Sequence, residues 1–151
     1  MDVSDKLKLL AKDLTQDFPR SPRAKLAGYV VAGRALDKCR AVLAGTAGEY
    51  HFNCPLDQQF FEFAGIDGDA FKDFVATGAT DEEVAAWIKQ HASQSEDEAI
   101  IAWNNKLRYM RPVDMPMKLQ VFLEGYIDEV VPRNRIVNYW FDVYDIEEHR
   151  I

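Results

Sequence analysis

With 151 residues, 48% of them hydrophobic and 28% charged, the chain suits one domain whose core needs neither metal nor disulfide. A formal net charge of −7 argues against general nucleic-acid binding, because most of the surface would repel phosphates. Two cysteines without a CxxC pair argue against a disulfide framework, and no stretch approaches the ~20 apolar residues of a membrane span, so a cytosolic location is expected.

Residues 1–20 are charged at every turn and hold no apolar run of signal-peptide type. Leu7, Leu10 and Leu14 suggest a short amphipathic helix, read as a loosely attached N-terminal segment of a single domain spanning 1–151. Residues 19–23 (PRSPR) form a turn. Ser21 as N-cap and Pro22 at the first helical position then predict one long helix over about 22–44, roughly 33 Å in length. Gly45 and Gly48 end it. Cys54–Pro55 starts the next helix, with Phe60, Phe61 and Phe63 inward and Gly65 at its end.

Asp67 caps a further helix carrying Ala70, Phe71, Phe74 and Val75, which Gly78 closes. Thr80 with Glu83 is a capping box before Val84, Trp87 and Ile88. Ser95 with Glu98 is a second, before Ile100, Trp103, Asn104 and Leu107. Asp114 and Pro116 open a helix holding Leu119, Phe122, Leu123, Tyr126, Ile127 and Val130, and Pro132 stops it. The tail, 133–151, has the β-branched and aromatic content of a strand but no partner strand, so it reads as a short helix. The fold class is all-α, a single compact domain of about six or seven helices.

Charge is uneven along this frame. From Phe18 to Arg40 there are six basic residues (Arg20, Arg23, Lys25, Arg34, Lys38, Arg40) and one acid (Asp37), a balance of +5, which leaves −12 for the remainder. The basic strip either pairs with the protein's own acids or holds a small anion. At helical spacing Arg34, Asp37 and Lys38 share a face with small alanines. That face reads as solvated, or as a clamp in which Arg34 and Lys38 hold a carboxylate or phosphate and Asp37 orients one of them. Arg40 falls beside Tyr29 and Leu36 on the apolar side and needs an acidic partner. Glu49 and Asp57 are nearest in sequence, and a structural pair of Arg40 with Glu49 is expected.

Residues 49–57 (EYHFNCPLD) alternate polar and apolar side chains before entering a helix. Cys54 falls at the N-cap, where free N–H groups favour thiolate, and His51 lies three residues earlier as a base. This gives a Cys–His pair for nucleophilic catalysis, set against the plainer reading of Cys54 as a small buried residue. His51, Cys54 and Asp57 also mimic metal-ligand spacing. Zinc would require more Cys or His ligands, so neither metal nor cofactor is expected.

The segments PRSPRAKLAGYV, GRALDKCRA and GEYHFNCPLDQQFFEFAGID, followed by GATDEEVAAWI, resemble an uncharacterised bacterial family classed as a domain of unknown function, family number 5069. The likeness covers most of the chain and is most specific over 19–91. It implies a small cytoplasmic protein and supplies no activity or cofactor. The family motif centres on Arg34, Asp37, Lys38, Arg40, Tyr50, Cys54, Pro55 and Asp57, all present here.

The leading functional expectation is binding of a small anionic metabolite by Arg34, Asp37, Lys38, Tyr50, His51 and Asp57, in a polar site between the long helix and the 49–57 loop. The alternatives are a small enzyme using Cys54 and His51, or a helical module that docks a protein partner. All turn on whether that loop folds back over the Arg34 and Lys38 face.

Overall fold

Local signals start and stop most of the helices. The computed structural model describes residues 2–151, and among them lie eight α-helices, one 3₁₀ turn and no strand, where the sequence predicts six or seven helices. They are α1 (Val3–Leu10), α2 (Ala32–Ala44), α3 (Pro55–Ala64), α4 (Gly68–Val75), α5 (Asp81–His91), α6 (Asp97–Arg108), the 3₁₀ turn Pro112–Asp114, α7 (Met117–Val130) and α8 (Trp140–Glu147). Gly45, Gly65 and Gly78 follow α2, α3 and α4 at φ values of 77°, 71° and 81°, a left-handed conformation that glycine adopts without a Cβ clash. Thr80 and Glu83 close a complete capping box at α5.

The long helix over 22–44 does not form. Only Ala32–Ala44 is helical, and residues before it make turns. Ala27, Gly28 and Val31 have φ of 55°, 89° and 72°, all incompatible with a right-handed helix. Leu26 and Tyr29 exchange backbone hydrogen bonds at 3.0 Å, and Val31 N–H donates to Pro22 O at 2.8 Å. A distant side chain holds this geometry. Asn104 Oδ1 accepts from Val30 N–H at 3.1 Å, and Asn104 Nδ2 donates to Gly28 O at 2.8 Å. These backbone groups are thus satisfied outside a helical ladder.

Two predicted helix starts also move. The N-cap of α6 is Glu96, with no side-chain cap, so the Ser95 box is not made. Asp114 instead ends the 3₁₀ turn in a pair with Arg111, and α7 begins at Met117 behind Pro116.

Shortened α2 becomes the centre of the molecule: every residue from Ala32 to Ala41 is buried. Helices α1, α3 and α4 pack against it, with Leu7 and Leu14 buried among the core residues. The interior holds Leu36, Phe60, Phe71, Ile88, Leu107, Leu123, Trp140 and Phe141, each fully buried side chain of this size contributing about 1.5–3 kcal/mol. The tail supplies α8, seated against α6 and α7.

Candidate functional site

The charged stripe of α2 is neither solvated nor free. Arg34, Asp37, Lys38 and Arg40 are each at most 5% exposed. A buried charge needs a partner, and these partners come from distant parts of the chain. Arg34 makes a two-pronged pair with Glu148, both bonds 2.8 Å long. Lys38 Nζ lies 2.9 Å from Asp57 Oδ1. Asp37 is clasped by Arg20, which donates through its backbone N–H, Nε and Nη2.

Arg40 pairs with Asp81 at 2.8 Å and donates to Ala79 O at 2.9 Å; its partner is not Glu49, which is exposed. The start of α5 lies beside α2, and Asp81 at that start answers both Arg40 and Arg20. Arg23 pairs with Asp142 and Asp145. The acidic run at 145–148 therefore includes buried counter-charges: Asp145 and Glu148 are each 3% exposed.

These pairings split the expected site. Asp37 lies with Arg20, Arg40 and Asp81 along a different depression. Asp57 is fully buried, and its Oδ2 accepts from Asn53 N–H at 2.9 Å. The rest converge. Arg34, Lys38, Tyr50, His51 and Cys54 line one cavity of about 120 Å³, with Leu56, Phe122, Tyr126 and Tyr144 also on its walls. A wider depression of about 790 Å³ shares Glu49, Tyr50, His51, Phe122 and Tyr126 with it.

Cys54 is the N-cap of α3 and Pro55 its first residue. The Cys54 side chain makes no capping bond, and the first N–H groups of a helix have no intrahelical acceptor. The sulfur is instead met by Lys38 Nζ at 3.2 Å. Among the described residues no hydrogen bond joins it to His51, which is exposed at the cavity rim.

Three tyrosines complete the walls. Burial, first of all, raises the pKa of Tyr50, Tyr126 and Tyr144, so all three keep their protons at neutral pH. Tyr50 donates to Glu148 at 2.8 Å, and Tyr126 donates to Glu147. The Arg34 guanidinium lies 4.8 Å from the Tyr144 ring centroid and 5.6 Å from that of Tyr50, within cation–π range.

Two adjacent carboxylates are driven apart. Burial raises Glu147. Burial also opposes ionisation of Glu148, but hydrogen bonds from Arg34, Tyr50 and Arg150 outweigh it and hold Glu148 below its usual range. Sequence reasoning missed Glu148, Tyr126 and Tyr144. Tyr126 figures there only as one residue of a helix, and nothing local ties α8 to α2.

No group of three His, Cys, Asp or Glu side chains among the described residues could hold a metal ion. No described helix is long and apolar enough to cross a membrane.

An all-helical domain with buried ion pairs around a small thiol-bearing cavity is the class that this geometry defines. The chain belongs to the family described as a domain of unknown function (DUF5069), which matches residues 16–150. No curated protein matches it.

Proposed function

We propose that the Cys54 cavity binds the anionic head of a small metabolite, a carboxylate or phosphate group. The observation that carries this reading is the convergence of Lys38, Tyr50, His51 and Cys54 on the uncapped start of α3. A helix N-terminus presents unpaired N–H donors and a partial positive charge, which suits an anion. Lys38 adds an ammonium: of its three N–H donors, one faces Asp57 and one Cys54, leaving a third. About 120 Å³ accommodates a few heavy atoms, roughly the share of four waters, so the cavity takes a head group and the wider depression its body.

A thermal-shift screen with acetate, phosphate and sulfate tests the reading. An anion at 100 times its dissociation constant adds about 2.7 kcal/mol, a rise of roughly 5–10 °C for a domain of this size. The rise should vanish in Lys38→Met and in the paired variant Lys38→Met/Asp57→Leu, which leaves no buried charge alone. An unchanged melting temperature with every anion refutes the reading, as does a full shift in both variants.

A second reading, nucleophilic chemistry at Cys54, rests on the Lys38 ammonium at 3.2 Å, which meets negative charge on the sulfur. It requires iodoacetamide to label Cys54 faster than a free cysteine peptide at neutral pH; slower labelling would sink it.

A further inference from the structure

The basic strip leaves one cation over. Arg20, Arg23, Arg34, Lys38 and Arg40 each meet a carboxylate, whereas Lys25 has none within 4.0 Å among the described residues. Lys25 lines a second cavity, of about 600 Å³, with Lys89 from α5 and Arg108 from α6. Neither of those has a carboxylate partner among the described residues either. Their volume and setting match a small-molecule pocket, for which 300–1,000 Å³ is the ordinary range. On a protein of net charge −7, three unpaired cations on one cavity are a local reversal of sign.

The cavity is built rather than incidental. Its wall includes the turn at Ala27 and Gly28, whose φ values of 55° and 89° are held by the buried Asn104 side chain. A non-glycine residue in the left-handed region is strained, and such strain concentrates at ligand sites. Arg108 Nε is buried with no hydrogen-bond partner, while Nη2 of the same side chain is held by Asn105 Oδ1. Ile100 and Ile101 supply an apolar wall, and Asp97 is the one carboxylate in the lining, so the balance there is +2.

We propose that this cavity binds a phosphorylated small molecule. Lys25, Lys89 and Arg108 receive the phosphoryl oxygens, and the uncharged body rests on Ile100 and Ile101. A monocarboxylate would be poorly matched, because Asp97 offsets one of three cations; a phosphoryl dianion meets the remaining two. A nucleic acid is disfavoured by the net charge of −7. The site is independent of the Cys54 cavity and shares no residue with it.

The test is a ¹H–¹⁵N NMR titration of the full chain with adenosine diphosphate and, separately, inorganic pyrophosphate at low salt. Saturable amide shifts are expected at 25–29 and 95–104. Lys25 and Lys89 are exposed, so Lys25→Ala and Lys89→Ala keep the fold. Each should weaken binding about fivefold, the effect of losing one exposed charge contact. Cys54→Ser should leave the affinity unchanged. Tighter binding of adenosine diphosphate than of pyrophosphate supports the apolar wall as the seat of the body. The proposal is overturned by no shift at either probe, by shifts centred on 50–56 instead, or by unaltered affinity in both lysine variants.

Discussion

Arg34→Met removes one half of the most enclosed ion pair and leaves Glu148 buried. The two side chains are 3% and 0% exposed and share two hydrogen bonds of 2.8 Å. Breaking such a pair from one side costs about 3–5 kcal/mol, mainly because the remaining charge stays in a low-dielectric setting. Glu148 keeps Tyr50 at 2.8 Å and Arg150 at 2.6 Å, which places the cost nearer the lower figure. With a urea dependence of about 2 kcal/mol per molar, a loss of about 3 kcal/mol lowers the unfolding midpoint by about 1.5 M. The double variant Arg34→Met/Glu148→Leu replaces charge with apolar volume and should recover most of this, because a buried pair and a packed apolar pair are often near equal in stability. Urea unfolding followed by tryptophan fluorescence reads both. The exposed pair Arg111–Asp114 serves as contrast, and Asp114→Ala should leave the midpoint unchanged. A midpoint drop below about 0.5 M for Arg34→Met, or a double variant worse than the single, would show that the Arg34–Glu148 pair is not sealed from water as described.

Acid should unfold the protein through the same carboxylates. Glu148 and Asp81 are held below their usual range by arginine partners that outweigh burial, so their stabilisation is complete above the ordinary carboxylate pKa and is lost as pH falls through their folded values. Glu148→Gln should therefore flatten the acid limb of a stability–pH profile. Glu147 has the opposite sign, since burial raises it: stability falls as pH rises from its unfolded to its folded pKa, and Glu147→Gln should remove that loss. At the helix starts, Thr80→Ala should cost about 1 kcal/mol by removing the α5 cap, whereas Ser95→Ala should cost nothing measurable, since Glu96 is the N-cap of α6. Equal losses in the two variants would contradict the α6 boundary.

Helix ends were legible where one or two residues decide them. Gly45 and Gly65 stop helices by positive φ, and Cys54–Pro55 and Asp67 start them by side chain or ring geometry. The long helix failed because Ser21-Pro22 is a local signal that a tertiary one overrides: Asn104, more than seventy residues away, takes the backbone groups of Gly28 and Val30. The +5 strip against −12 elsewhere showed that partners must exist, but not which acids serve. Asp142, Asp145 and Glu148, three residues apart, fall on one side of α8 and its C-terminal turn, and this spacing was the signal overlooked. Arg40 found Asp81 rather than Glu49 because the fold brings the α5 start within reach of its guanidinium, and closeness in sequence does not decide that.

The candidate cavity was half legible for the same reason. The loop 49–57 does meet Arg34 and Lys38 at one cavity. Asp37 is drawn away by Arg20, and Asp57, fully buried, pairs with Lys38 without lining the cavity.

The anion reading of the Cys54 cavity is tested most directly by the rate at which iodoacetamide labels Cys54, with and without the stabilising anion, followed by peptide mass spectrometry. Cys39 is an internal reference: it is fully buried and burial pushes its thiol up to about 12, leaving about one part in 10⁵ as thiolate at pH 7. The expected result is labelling of Cys54 alone, slowed about tenfold when the anion is at ten times its dissociation constant. An anion that raises the melting temperature while Cys54 labels at an unchanged rate would place the anion elsewhere and contradict the proposed site.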